Sequence, residues 1–132
     1  MRIVYLCWKY KIGMSDKTLN IKGTLMSLST PVVMGILNVT PDSFYAGSRK
    51  QTEADIEERI QAILSEGGQI IDIGGYSSRP DAEEVSPEEE MERLVFALKI
   101  LNAHYPEAVV SVDTFRADVA RKCVEDYGVA II

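Results

Sequence analysis

The sequence is poor in cysteine and histidine, and this scarcity excludes several kinds of site. Its two cysteines, Cys7 and Cys123, lie in unrelated contexts, so they predict neither a zinc-binding pair nor a disulfide framework. The single histidine, His104, falls at the end of a predicted helix and is expected at the surface. No nucleophile–histidine arrangement is recognisable. Such sparse cysteine usage favours a reducing, cytoplasmic setting, with Cys123 as a small buried residue.

Long hydrophobic runs and an excess of positive charge are also missing. The apolar stretch 3–8 is too short for a membrane span or a typical signal peptide. Fourteen basic residues stand against 20 acidic ones, which gives a net charge of −6. We therefore expect neither nucleic acid nor a membrane as a partner. We interpret residues 1–13 as a tail of doubtful fold role, with an extra strand as the less favoured alternative.

What the sequence does contain is an alternation of apolar strands and amphipathic helices. Strands are predicted at 32–37, 69–73 and 108–112 and from Val129 onward, after a hairpin at 15–28. Near-continuous apolar strands are typical of a parallel sheet, and their alternation with helices implies right-handed βαβ units. No GxGxxG follows the first strand, which disfavours a dinucleotide-binding fold. A (β/α)8 barrel needs about 250 residues, so this chain would supply a little under half of one.

The three predicted helices carry recognisable start and stop signals. Thr52 is predicted to cap the first helix and Gly67-Gly68 to end it. Its apolar face is predicted to be Ile56, Ile60, Ile63 and Leu64. Ser86-Pro87-Glu88-Glu89 predicts a capping box at the start of the second helix. We interpret the acidic run 81–92 as a solvated helix start. The third helix is predicted from about Phe115 to Asp126, and Gly128 is predicted to end it.

Small polar side chains follow the predicted first strand at its C-terminal end, where parallel α/β proteins bind their substrates. They are Asn38, Thr40, Asp42 and Ser43. An amide oxygen at such a strand end can ligate a hard cation such as Mg²⁺, which often bridges to phosphates. The same residues equally fit an ordinary turn. Phe44 beside them could stack on a planar ligand or simply pack.

Two later strands end in the same way. Gly74-Gly75 would let backbone approach a ligand closely, Ser78 could donate a hydrogen bond, and Arg79 offers a fork suited to phosphate. The alternative is a long loop with a solvated arginine. Asp113 ends the third strand, where its carboxylate can accept hydrogen bonds from a ring N–H or an amino group. It could instead cap the third helix, although Thr114 serves that purpose as well.

These three clusters together resemble dihydropteroate synthase. The matching stretches are GILNVTPDSF at 35–44, IDIGGYSSRP at 71–80 with EEVSPEEE at 83–90, and SVDT at 111–114. The resemblance covers about residues 18–132. It implies a (β/α)8 TIM barrel that joins p-aminobenzoate to 6-hydroxymethyl-7,8-dihydropterin diphosphate, yielding 7,8-dihydropteroate and pyrophosphate for folate. On this basis 14–132 would be the first three βα units and strand four, truncated there, of an enzyme that is a homodimer at full length.

The resemblance also implies roles for individual residues. Asn38 would bind Mg²⁺ near the diphosphate, and Asp113 would accept hydrogen bonds from the pterin ring deep in the barrel. Ser78 and Arg79 would contact the diphosphate and p-aminobenzoate, and Phe44 would lie beside p-aminobenzoate. Thr40 and Asp42 are expected to bind substrate. Asn38, Asp113 and Arg79 form the predicted catalytic set.

Three departures from the family pattern lie in the second cluster. Tyr76 stands where the family commonly has glutamate, and Asp81 where glycine usually follows Arg-Pro. A negative charge at Asp81 could weaken diphosphate binding. Ser78 replaces threonine, which loses a methyl group in a region tied to sulfonamide selectivity.

Two other interpretations remain from the sequence. A pterin-binding methyltransferase domain shares the barrel, although it is not expected to carry NVTPDSF. A non-catalytic truncated product is the other. As an isolated species the 132-residue chain is expected to be inactive. It is also expected to aggregate, or to self-associate along its fourth strand, because an unclosed barrel exposes strand edges and apolar faces. A monodisperse monomer that unfolds cooperatively would contradict the second expectation.

Overall fold

The computed structural model describes residues 3–5, 17–40, 49–76 and 84–132, and these form an α/β fold built on a parallel sheet. The strands are β1 (Ile3–Tyr5), β2 (Thr18–Ile21), β3 (Thr24–Ser27), β4 (Val33–Asn38), β5 (Ile70–Gly74) and β6 (Val109–Asp113). The helices are α1 (Arg49–Ser65), α2 (Pro87–His104) and α3 (Ala117–Tyr127). The predicted fold class, α/β with a parallel sheet, is confirmed.

The main sheet has the order β1-β4-β5-β6, and β4, β5 and β6 pair in parallel. Beyond β6 the chain continues the pattern, since Ser111 and Ile131 form a parallel bridge. The parallel strands therefore follow one another in chain order. When every right-handed crossover moves in the same direction, all connecting helices lie on one face of the sheet.

One apolar core lies between the three helices and that face of the sheet. Its buried members in the strands are Leu37, Ile71, Ile73, Val110 and Val112. Its buried members in the helices are Ile56, Ile60, Ile63, Leu94, Ala97, Leu98, Ile100, Leu101, Val119 and Cys123. The helix-facing side of the sheet thus holds the core, and the opposite side is left for other chemistry.

Helix boundaries follow the predicted signals at three of four tested ends. Ser86 caps α2, because its hydroxyl accepts from the Glu89 backbone N–H while the Glu89 carboxylate accepts from the Ser86 N–H. Gly67 ends α1 with φ +94°, and Gly128 ends α3 in the left-handed region. The predicted start of α1 is wrong: the helix begins at Arg49, since Arg49, Lys50 and Gln51 are themselves good helix formers.

Two further expectations need correction. Leu64, placed on the buried face of α1, is 37% exposed, because the core-facing stripe is the narrower set of Ile56, Ile60 and Ile63. The 1–13 segment contains a strand, since Ile3–Tyr5 pairs antiparallel with 33–35. This matches the less favoured alternative for those three residues. The hairpin predicted at 15–28 is present as β2 and β3.

Helix α1 packs closely against β4 at Gly35. A Cβ added there would lie 2.8 Å from Cγ1 of Ile63 and 3.1 Å from its Cβ. Only a residue without a side chain lets the helix pack at this distance. Because Gly35 and Leu37 share a face of β4, the glycine sets how closely the helix layer covers the sheet.

We predict that Gly35→Ala lowers the free energy of unfolding by about 1–3 kcal/mol, the usual penalty for overpacking a core. Urea unfolding followed by circular dichroism measures it. Gly74→Ala is the matched control, because the Cβ added there meets only Asn38 Oδ1 at 3.5 Å, an ordinary contact.

Because the Ile63 side chain is what a Cβ at position 35 would meet, Ile63→Ala should partly suppress the loss of stability caused by Gly35→Ala. The double variant should be more stable than the sum of the two single losses indicates. Additive losses, or a Gly35→Ala variant as stable as the parent chain, would show that the helix can shift away without cost.

Candidate functional site

Asn38 and Asp113 lie in one row across the carboxyl ends of three parallel strands. Asn38 pairs with Gly74, and Gly74 pairs with Asp113. Residues paired in this way point to the same face of a sheet. The residue between them has no side chain, and a Cβ on Gly74 would lie 3.5 Å from Asn38 Oδ1. An amide and a carboxylate therefore flank an open gap above Gly74.

A second polar row lies two residues earlier on the same face. Asp72 pairs with Ser111 on the adjacent strand, so the two side chains lie side by side on this face. Asp72 is half-buried and Ser111 is buried. Burial raises the pKa of the Asp72 carboxyl above its ordinary value; the Ser111 hydrogen bond opposes this shift, and the nearby charge of Asp113 adds to it. The face away from the helices thus carries two carboxylates at different depths.

The structure brings together some of the predicted site residues. Asn38 and Asp113 end β4 and β6 in the same row, and Thr40 follows within two residues of Asn38 and is half-buried. Asp113 ends its strand and is exposed in the described part of the chain, while Asp72 lies one row further in. The expectation that Asp113 lies deep in a closed barrel stays a prediction. Asp42, Phe44, Ser78 and Arg79 lie outside the described residues, and their placement remains a prediction.

Asp72 was missed from the sequence although a signal was present. It is a lone carboxylate within the apolar run 70–73 of a strand buried on both faces. Because side chains alternate between the two faces along a strand, Asp72 lies on the same face as Gly74, at the edge where the site was predicted. A charged residue in the middle of a buried strand needs either a partner or a function, and Ser111 alone does not neutralise it.

The acidic run before α2 was misread at one position. Glu90 is 0% exposed and forms an ion pair with Arg116, whereas the run was interpreted as a solvated helix start. Glu90 precedes Leu94 by four residues, so it shares the core-facing stripe of the helix. The flanking Glu88 and Glu89 are exposed, as expected for the first turn.

Two aromatic side chains border the strand ends. The ring centroids of Tyr76 and Phe115 lie 5.2 Å apart with the planes at 83°, an edge-to-face pair. Phe115 is 72% exposed, and Tyr76 is half-buried. Both residues follow a strand of the site by two positions. An apolar rim of this kind beside carboxylates suits a planar, polar-edged ligand.

His104 and Cys123 lie outside the candidate site, as predicted. His104 is paired with Glu57 at the far end of α2 from the strand ends. Cys123 is buried in the core, where burial, aided by the charge of Glu90, raises the pKa of its thiol to about 11. A thiol in that state is protonated and inert at neutral pH. Neither residue is placed for chemistry at the strand ends.

The donor set at the strand ends fits weak binding of a hard cation. The described residues hold no group of three His, Cys, Asp or Glu side chains that could bind a metal ion by themselves. Mg²⁺, however, is commonly bound by one or two protein oxygens together with substrate phosphates. The exposed Asn38 amide, beside the gap above Gly74, fits the part of such a single protein ligand.

Taken together, the described residues of the site can bind and orient a ligand, but among them few groups could serve in covalent catalysis. Two carboxylates accept hydrogen bonds, an amide offers oxygen, and glycine leaves space between them. None of the described helices combines the length and apolar composition needed to cross a bilayer. The arrangement fits a ligand whose ring N–H or amino groups can donate hydrogen bonds to the two carboxylates.

Comparison with known proteins agrees with this chemistry. A family model described as "Pterin binding enzyme" matches residues 34–132. The chain is 43% identical over 101 residues to the dihydropteroate synthase of Escherichia coli (strain K12), covering 76% of this chain and 36% of that protein.

Solved structures show the same relationship. Dihydropteroate synthase from Xanthomonas albilineans with 4-aminobenzoic acid superposes with a TM-score of 0.74 at 39% identity, over 86% of this chain and 42% of that one. The Burkholderia cenocepacia enzyme complexed with 7,8-dihydropteroate gives 0.69 at 29% identity, over 88% and 37%. The chain thus spans less than half the length of these relatives. Since the family model extends over most of the chain and includes all three strands of the site, this protein belongs to the pterin-binding enzyme family.

Proposed function

We propose that this chain supplies the first part of a dihydropteroate synthase, which joins p-aminobenzoate to 6-hydroxymethyl-7,8-dihydropterin diphosphate. The observation that carries the proposal is the open row formed by Asn38, Gly74 and Asp113, with Asp72 one row deeper. Its relatives are dihydropteroate synthases at about 40% identity. The expected products are 7,8-dihydropteroate and pyrophosphate.

A (β/α)8 barrel is the architecture we propose for the whole enzyme, with three βα units and strand four in this chain. Support comes from the chain-ordered parallel strands and from the three described helices, whose buried residues join one core on one face of the sheet. A doubly wound sheet reverses its strand order and has helices on both faces. A barrel keeps the order and leaves an inner face, here the one that carries Asp72 and Ser111.

The pterin would bind on that inner face through its ring N–H and amino groups. Asp72 and Asp113 lie in successive rows of this face on adjacent strands, so their carboxylates can accept from two edges of one heterocycle. Asp72 is the more buried of the two, and Ser111 lies opposite it on the adjacent strand. We assign Asp113 as an acceptor of hydrogen bonds from the pterin ring, and Asp72 as a second acceptor that lies deeper on the same face.

The diphosphate would bind at the outer end of the row, near Asn38. When bound there, Mg²⁺ would offset the negative charge that grows on the departing pyrophosphate. Arg79 is assigned the same task from the protein side. Asn38 would hold the metal, and Thr40 and Asp42 would contact the substrate beside it.

The arylamine is the nucleophile, so the protein need supply none. As the C–O bond to the diphosphate breaks, positive charge on the pterin methylene is stabilised by the electron-rich ring. The p-aminobenzoate nitrogen forms the new bond to that carbon and then loses a proton. Ser78 and Phe44 are assigned to p-aminobenzoate, which must be held in line with the departing group.

The setting of the enzyme is part of the proposal. We assign a cytoplasmic location, with which the free, buried thiol of Cys123 is compatible. We expect a homodimer for the full-length enzyme. The alternatives are a pterin-binding methyltransferase domain and a non-catalytic product.

We predict that pyrophosphate release requires more chain than these 132 residues. The chain should be inactive with p-aminobenzoate, the pterin diphosphate and Mg²⁺, whereas a form extended to full barrel length should be active. A colorimetric pyrophosphate assay measures both. Asn38→Ala in the extended form should abolish most of the activity.

Two results would count against the synthase proposal. Activity of the extended form without p-aminobenzoate would point to another reaction, and inactivity of both forms would favour the alternatives. Asp81→Gly is then the first reversion to make, because it removes the added negative charge beside Arg79.

We predict that Asp72→Asn stabilises the fold and weakens pterin binding. The pKa of Asp72 is raised in the fold, so the folded chain keeps this proton to a higher pH than the unfolded chain does. The stability due to the proton is complete below the unfolded value near 3.8 and is lost as pH rises through the folded pKa. At neutral pH the ionised carboxylate therefore costs stability.

The measurement is thermal unfolding of the parent and Asp72→Asn chains across pH 3 to 8, with pterin titrations at pH 7. The two melting temperatures should converge at low pH and separate in favour of the Asp72→Asn chain as pH rises. Asp118→Asn, on the exposed first turn of α3, is the control. A lower melting temperature for Asp72→Asn at neutral pH would refute the assignment.

A further inference from the structure

A buried ion pair lies beside the candidate site without belonging to its proposed chemistry. Glu90 on α2 is fully buried, and its Oε2 accepts from Arg116, which precedes α3 and is itself mostly buried. Arg116 also donates to the backbone oxygen of Val85 at 2.6 Å. One guanidinium therefore joins the first turn of α2, the loop that leads into that helix, and the segment that follows β6.

The carboxylate end of the pair is packed against the end of β5. A Cβ added to Gly75 would lie 3.1 Å from the Glu90 backbone oxygen and 3.2 Å from its Cγ. One turn further along the same helix, Arg93 donates to the Gly75 oxygen at 3.2 Å. Glu90 and Arg93 thus hold the residue that directly follows Gly74 of the site row.

The cationic end of the pair holds both aromatic residues of the rim. The guanidinium carbon of Arg116 lies 5.3 Å from the ring centroid of Tyr76 and 4.7 Å from that of Phe115, within cation–π range. The Arg116 backbone N–H donates to Thr114 Oγ1, so the segment after Asp113 is fixed as well. The same side chain therefore contacts residues two positions beyond Gly74 and two beyond Asp113.

The pair is not explained by stability alone. Taking two charges out of water carries a large free-energy penalty, and well-packed apolar residues often stabilise a core as well or better. Within the described part of the chain, Glu90 Oε1 has no hydrogen-bond partner, so the burial is only partly compensated. A costly pair that contacts both strand ends of a site, rather than the middle of the core, points to a geometric role.

We propose that Glu90 and Arg116 are positioning residues of the candidate site, which hold the ends of β5 and β6 at the spacing that places Asp72 and Asp113 for one ligand. The pair acts through Gly75, Tyr76 and Thr114, and it does not touch the ligand. The ligand-binding part of this statement rests on the proposed function, whereas the placement of the two carboxylates does not.

The test removes both charges at once, so that the local net charge stays the same. Glu90→Gln/Arg116→Gln is compared with Glu57→Gln/His104→Gln, which removes the pair at the other end of α2. Carbon-13 NMR follows the titration of the Asp72 carboxyl in each chain without any ligand. Isothermal titration then measures pterin affinity, and thermal unfolding measures the loss of stability.

The site double variant should lower the Asp72 pKa toward its ordinary value of 3.8, because separated strand ends admit water and move Asp113 away. It should weaken pterin binding roughly tenfold, the loss typical when a partner that orients a binding group is removed. The control pair should change neither quantity. Arg116→Lys keeps the charge opposite Glu90. Its Asp72 pKa and its pterin affinity should therefore stay close to those of the parent chain.

The outcomes separate this proposal from the proposed function. If the parent chain and its full-length extension bind no pterin, the function fails, and the Asp72 titration still decides the positioning role. If the site double variant only lowers the melting temperature and leaves the Asp72 pKa unchanged, the pair is structural and the proposal is overturned. Should the double variant fail to fold, Glu90→Gln alone is compared with the parent chain, and an unchanged Asp72 pKa in Glu90→Gln overturns the proposal.

Discussion

The candidate site depends on the register in which β4, β5 and β6 pair. Asn38, Gly74 and Asp113 share one row, and Asp72 and Ser111 share the row two residues below it. A slip of one residue would turn each of these side chains to the helix layer and bring Leu37, Ile73 and Val112 to the ligand face. The large free-energy cost of exposing those three residues is what keeps the polar rows aligned.

The parts of the fold governed by local chemistry could be predicted from the sequence. These parts follow from conformational preferences that act over a few residues. They include the apolar runs of strand length, the capping box at Ser86 and the glycines that end two helices. The residues at the strand ends were predicted for the same reason, since a buried strand that stops in polar side chains delivers them to one edge. Asn38 and Asp113 were found in this way, and their pairing through Gly74 follows from parallel register.

The parts governed by long-range contact could not be predicted in the same way. Glu90 looks like its exposed neighbours Glu88 and Glu89 until Arg116, 26 residues later, is known to fold against it. The strand Ile3–Tyr5 forms by pairing with the edge of β4, and the local sequence does not predict that long-range pairing. Asp72 had a readable signal, a charge inside an apolar strand, but its depth depends on how β6 lies beside it.

The carboxylates of Asp72 and Glu90 lie on opposite sides of the sheet and serve the site differently. Asp72 lies on the face away from the helices, where partial burial makes it a strong acceptor that the fold tolerates at some cost in stability. Glu90 lies on the helix side, where its charge is matched by Arg116 rather than offered to a ligand. The apolar layer formed by Leu94, Leu98 and Leu101 stabilises the fold through its own burial. This stabilisation offsets the free-energy cost of the two charged groups. The site therefore depends on the packed helix layer behind the sheet, and the Glu90–Arg116 pair joins that layer to the ends of β5 and β6.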